Sequence, residues 1–116
     1  VKITVAKLYQ LEACDRQVDL FIALFGSELE LPTEFNAQEK LATILQENSF
    51  DLYWVRTVLL TREQRFKLED RTESAYEVYR CSYPIAAIPA RETYIKVVWL
   101  IIIQILAGND SEQAPY

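Results

Sequence analysis

Tyr94-Ile95-Lys96-Val97-Val98-Trp99-Leu100-Ile101-Ile102-Ile103-Gln104-Ile105-Leu106-Ala107-Gly108 is the stretch whose reading decides the fold. Its β-branched residues suit a strand. Its punctuation suits a helix: Pro89 fits a first helical position, and Gly108 fits the residue just past a C-terminus. The preferred reading is a helix over 91–107. The alternative is a strand over 97–106, which makes the fold α+β. A helix here is apolar nearly all round, so it lies at the centre of a bundle or is buried in an oligomer. The apolar run 97–103, resumed at 105–107, is shorter than the ~20 residues a helix needs to cross a bilayer. No membrane partner is expected.

Upstream, Thr61-Arg62-Glu63-Gln64 has the form of a capping box, a hydroxyl followed three residues later by Gln. It predicts the longest helix, over 62–81. Leu68, Thr72, Ala75, Tyr76 and Tyr79 form the expected inner stripe, and Glu69, Asp70, Glu73 and Glu77 gather on the other side. The i,i+4 pairs Glu63–Lys67 and Arg65–Glu69 favour this helix. Glu69–Glu73 and Glu73–Glu77 oppose it by a few tenths of a kcal/mol each, roughly. Pro84 ends it, and 84–89 reads as a tight loop.

Nearer the N-terminus, Thr4 caps a first helix through Ala13. Val18, Phe21, Ile22 and Phe25 fall at i, i+3, i+4 and i+7, with Gly26 immediately after, which predicts a helix over 15–25. Residues 27–32, with alternating Leu29 and Leu31, form a connector that can be extended. Thr33 is expected to cap a helix over 34–46, with Ala37, Leu41, Ile44 and Leu45 inward. Asn48-Ser49 breaks it, and Asp51 caps a short helix carrying Trp54, Val55, Val58 and Leu59. The expected architecture is a compact all-α bundle of five or six helices over 1–108, a single domain, with a polar, frayed tail at 109–116.

Composition narrows the chemistry. The 116 residues are 51% hydrophobic, enough for a core without disulfide staples. There is no His and there are two Cys, Cys14 and Cys81. Imidazole is thus removed from acid–base catalysis, nucleophile activation and metal ligation, and Cys/His zinc clusters are ruled out. Cys14 and Cys81 read as buried or half-buried free thiols of a reducing compartment. Two Gly, at 26 and 108, are too few for a phosphate-binding loop or a dinucleotide fingerprint. No calcium loop is present. Carboxylate pairs such as Glu69/Glu73 and Asp70/Glu73 can split their pKa values in a catalytic site, but on an exposed helix they are ordinary solvated charge. No catalytic residue, metal site or cofactor is expected.

The net charge of −5 lacks the basic footprint of direct nucleic-acid binding. It suits solubility or a basic protein or nucleoprotein partner. Two residue sets can carry such an interaction. One is the acidic row Glu69, Asp70, Glu73 and Glu77. The other is the aromatic set that includes Tyr53, Trp54, Tyr76, Tyr79, Tyr83, Tyr94 and Trp99, most of which also suit a core. Glu69, Asp70, Glu73, Glu77 and Tyr53 are the candidate partner-binding residues. Val1-Lys2-Ile3-Thr4 leads straight into a mixed segment without the form of a secretory leader, so a cytoplasmic protein is expected.

Phe50-Asp51-Leu52-Tyr53-Trp54, Leu59-Leu60-Thr61-Arg62-Glu63-Gln64, Tyr83-Pro84 and Pro89-Ala90-Arg91-Glu92 resemble a group of small helical proteins of phages and bacteria, some of them labelled immunity proteins. Leu11-Glu12-Ala13-Cys14 with Phe21 and Phe25 is similar to their opening segment. The resemblance implies an all-α fold, phage or mobile-element context, and a role in conflict between element and host. Together these readings lead to a non-enzymatic inhibitor that blocks a host defence complex, such as a CRISPR effector, through an acidic helical surface. A toxin-neutralising immunity protein and a homodimer or larger homo-oligomer built on the apolar C-terminal segment are the alternatives.

Overall fold

The computed structural model describes residues 2–82 and 87–108, with side chains described outside 74–75, 78–82 and 87–90. Among the described residues the chain runs β1 (Lys2–Thr4), α1 (Val5–Gln10), α2 (Asp15–Phe25), β2 (Glu28–Glu30), α3 (Phe35–Glu47), α4 (Leu52–Trp54), a π-helical turn (Val55–Leu59), α5 (Arg62–Ser82) and α6 (Ala87–Leu106). It is an all-α bundle with one small antiparallel sheet.

The C-terminal segment is a helix. β-branching lowers helix propensity by only tenths of a kcal/mol per residue, and burial along the whole segment outweighs it. Val98, Ile101, Ile102 and Ile103 are almost fully buried, and Trp99, Leu100, Gln104 and Ile105 are buried as well. α6 packs between α3 and α5, and Leu31, Leu41, Ala42, Leu45, Leu60 and Leu68 complete this main core. Residues 98–105 are thus enclosed within one chain and present no apolar face to a second copy. α6 begins at Ala87, ahead of Pro89, which therefore sits inside the first turn, where N–H groups have no intrahelical partner.

Caps set the other boundaries. The Lys7 N–H donates to Thr4 Oγ1 (3.1 Å), the Trp54 N–H to Asp51 Oδ1 (2.9 Å), and the Gln64 N–H to Thr61 Oγ1 (3.2 Å). Gln64 Oε1 accepts the Thr61 N–H (2.8 Å), which closes the capping box in both directions. α1 stops at Gln10 rather than Ala13, because Glu12 turns left-handed at φ 61°. At α3 the N-cap is Glu34 rather than Thr33, and it makes no side-chain cap bond.

β1 and β2 pair with Lys2 opposite Glu30, Ile3 opposite Leu29 and Thr4 opposite Glu28. The extended connector at Leu29 is therefore an edge of a sheet whose partner precedes α1. This ribbon, with α1 and α2, encloses a second, smaller core of Leu8, Val18 and Phe21. Ile3, Phe25, Leu29 and Phe50 touch both cores and join them. Within the α2 stripe, Val18 and Phe21 are buried, Phe25 is half-buried and Ile22 is 43% exposed. In α3, Leu41 and Leu45 point inward as expected, whereas Ala37 and Ile44 are exposed.

The expected inner stripe of α5 holds at Leu68 and Thr72 and fails at Tyr76, which is 48% exposed and meets Tyr94 edge-on at 5.9 Å. Ala75 and Tyr79 lie outside the residues whose side chains are described, as does Cys81. Tyr83, Pro84 and the tail at 109–116 lie outside the described residues altogether. Cys14 is exposed, not buried: it is the residue before α2, where the chain reverses at the surface.

Candidate functional site

α5 carries the acidic row. At roughly 100° per residue, Glu69, Asp70, Glu73 and Glu77 fall within an arc of about 100°. The inward residues Leu68 and Thr72 lie outside that arc. The structure leaves all four carboxylate side chains exposed. Thr72, buried on the inner side where α5 packs on α6, satisfies its hydroxyl by donating to the Leu68 carbonyl (2.8 Å), whereas Arg71 Nη1 is buried there without a hydrogen-bond partner.

Among the described residues, Arg62, Lys67 and Arg71 of α5 have contacts away from this row, and Arg65 Nε is buried without a hydrogen-bond partner. Arg62 lies over the Phe66 ring at 5.8 Å, and Lys67 Nζ meets Glu63 at 3.7 Å. Arg65 is half-buried and does not close on Glu69. Arg71 turns inward, and its guanidinium donates to Gln104 Oε1. Gln104 Nε2 donates to Gln38 Oε1 (3.4 Å), and Gln38 Nε2 to the Pro32 carbonyl (3.0 Å). This polar chain crosses from α5 through α6 to α3, with Gln38 and Gln104 nearly fully buried. No pattern in the sequence announces it, because Gln104 interrupts an otherwise apolar run by a single residue. Its consequence at the surface is that Glu69, Asp70 and Glu73 form no ion pair with the cations of their own helix among the described residues.

Tyr53, in α4, is 77% exposed and stands between two depressions. The smaller, about 220 Å³, includes Arg56, Arg65 and Glu69, so it joins Tyr53 to the N-terminal end of the acidic row. The larger, about 570 Å³, runs from Tyr53 past Arg56 to Arg91, Glu92 and Trp99. Arg56 lines both and belongs to the π-helical turn, in which the Leu60 N–H donates to the Val55 carbonyl (3.0 Å). Such turns recur at functional sites because the extra residue re-aims neighbouring side chains. The structure thus brings together Tyr53 and Glu69 and adds Arg56 and Arg65. Asp70, Glu73 and Glu77 continue the face along α5. Arg56 carries no sequence signal of its own and is placed here by the π-turn, whereas Arg65 is placed by the first turn of α5.

Chemically the surface is a row of carboxylates with an exposed phenol at one end and guanidinium groups beside it. Among the described residues no group of three or more His, Cys, Asp or Glu could hold a metal ion, and no helix is long and apolar enough to cross a membrane. No protein-family model, no curated protein and no solved structure matches this chain.

Proposed function

We propose that this protein is a non-catalytic binding module that docks the acidic face of α5 on a basic surface of another protein or nucleoprotein and blocks it. The observation that carries this reading is the exposure of Glu69, Asp70 and Glu73 without neutralisation by Arg62, Arg65, Lys67 or Arg71. A helix that places like charges at i,i+4 forgoes stability, and a complementary partner restores it on binding. Tyr53 supplies the aromatic anchor at the end of the row. Large exposed aromatics beside charge are over-represented among residues that dominate interface energies.

The finer reading is an inhibitor encoded by a phage or mobile element that occupies the nucleic-acid channel of a host defence complex, such as a CRISPR effector. Those channels are positively charged and hold a polyanion. A row of carboxylates offers them a competing anionic surface.

The test is affinity capture with the wild type and with the variant Glu69→Gln, Asp70→Asn, Glu73→Gln, Glu77→Gln, each at low and high salt. The expected result is a basic partner retained by the wild type at low salt, lost at high salt, and not retained by the variant. Equal retention by a folded variant contradicts the reading.

A further inference from the structure

Between the two cores lies a cavity of about 210 Å³. Its walls are aromatic on several sides: Phe21, Phe25, Phe50, Trp54 and Trp99 all line it. Phe21 and Phe25 meet edge-on at 5.3 Å, and Phe25 lies 6.2 Å from Phe50, so the rings brace one another rather than closing the space. The polar lining is confined to Glu12, Cys14, Gln17 and Asp51, which are exposed or half-buried and mark the mouth. No Lys or Arg lines the cavity among the described residues.

The mouth is built rather than frayed. The Asp51 N–H donates to Gln17 Oε1 (3.0 Å), tying α2 to the start of α4 across the opening. On the other side, Glu12 is held at φ 61° by the hydrogen bonds Leu11 N–H to Lys7 O, Glu12 N–H to Tyr9 O and Ala13 N–H to Leu8 O, each 3.0 Å. A non-glycine residue in the left-handed region persists only where its surroundings over-determine it. Here the strained turn carries a carboxylate to the rim.

We infer that this cavity is a binding site for a small aromatic amine, with the ring inside and the ammonium group at the rim between Glu12 and Asp51. An apolar cavity of ~150 Å³ already admits benzene, so by proportion this one takes about eight carbon atoms. Ligand pockets combine an apolar body with a few polar groups that fix orientation. Two carboxylates without a cation favour an ammonium end and disfavour a carboxylate end. The site is separate from the acidic face of α5, and the inference does not depend on the docking proposal.

The test uses three probes with the same phenylpropyl body: 3-phenylpropylamine, 3-phenylpropanol and 3-phenylpropionate. Binding is read by titration calorimetry at low ionic strength, with fluorescence from Trp54 and Trp99 as a second signal. The amine is expected to bind at least tenfold more tightly than the carboxylate, with the alcohol between them. In Glu12→Gln/Asp51→Asn, which keeps a capping side chain at 51, that preference collapses while the alcohol binds as before. Ala13→Phe at the half-buried rim blocks all three. Absence of binding by all three at millimolar concentration overturns the inference, as does a carboxylate that binds as tightly as the amine, or binding that survives Ala13→Phe.

Discussion

Replacing Ile102 by Ala tests whether the apolar C-terminal segment is the core of one chain or a surface between copies. Ile102 is 1% exposed and belongs to the main core formed by α3, α5 and α6. The change removes about three carbons, and at about 0.8 kcal/mol per buried methylene the transfer loss is about 2.4 kcal/mol. Ile102 also borders the cavity between the two cores, so the new void merges with an existing one and its walls have little freedom to collapse. That places the total in the upper half of the about 2–5 kcal/mol span of Ile→Ala changes. Domains of this kind unfold at about 5–15 kcal/mol, so the variant folds but is weakened. With a urea slope of about 1–3 kcal/mol/M, the midpoint drops by about 1–5 M. The assay is urea unfolding at two protein concentrations a hundredfold apart. A loss below about 1 kcal/mol refutes the assignment of Ile102 to the core. A wild-type midpoint that rises with protein concentration places it at an interface instead.

Further substitutions probe individual elements. Cys14 occupies the N-cap of α2 in extended geometry without a side-chain cap bond, so Cys14→Ser raises stability by about 1 kcal/mol in denaturant titration. An unchanged midpoint contradicts the cap geometry. Gly26 ends α2 at φ 79° and ψ −146°, and an added Cβ meets nothing within 4 Å. Gly26→Ala therefore lowers stability by about 1–3 kcal/mol through backbone strain alone, and a neutral result excludes that conformation. Gln104→Leu strands the guanidinium of Arg71 and Oε1 of Gln38, each at about 1–3 kcal/mol, with partial compensation from the added apolar burial. The expected net loss is about 2 kcal/mol by thermal unfolding. If Gln104→Leu stabilises the protein, the polar chain across the core is not formed.

Much of the helical framework was legible because its signals are local. The stripe Val18, Phe21, Ile22, Phe25 with Gly26 behind it gives α2 with its observed bounds, and the Thr61/Gln64 box gives the start of α5. The orientation of single side chains was less legible. Ile22 and Tyr76 have the right period for burial yet sit at the margins of their stripes, where a small rotation of the helix exposes them. The β1–β2 pair was unread: each strand has three residues, too short for alternation to register, and its partners are 24 to 28 residues apart. The α6 segment carried conflicting signals, and packing against α3 and α5 resolved them. At the candidate site the acidic row followed from the period of α5. Arg56 did not, since its place beside Tyr53 depends on a π-turn that no residue pattern specifies. The cavity is a gap between two cores, and gaps leave no trace in sequence.

The most direct test of the docking account is the association rate of the captured partner with immobilised protein, measured across a series of salt concentrations. The wild type is compared with the charge reversal Glu69→Lys, Asp70→Lys, Glu73→Lys, Glu77→Lys. An acidic face that steers binding predicts a wild-type rate that falls steeply as salt rises, and a variant rate that is slow at low salt and does not fall. The same rate and the same salt dependence in both proteins would contradict the account.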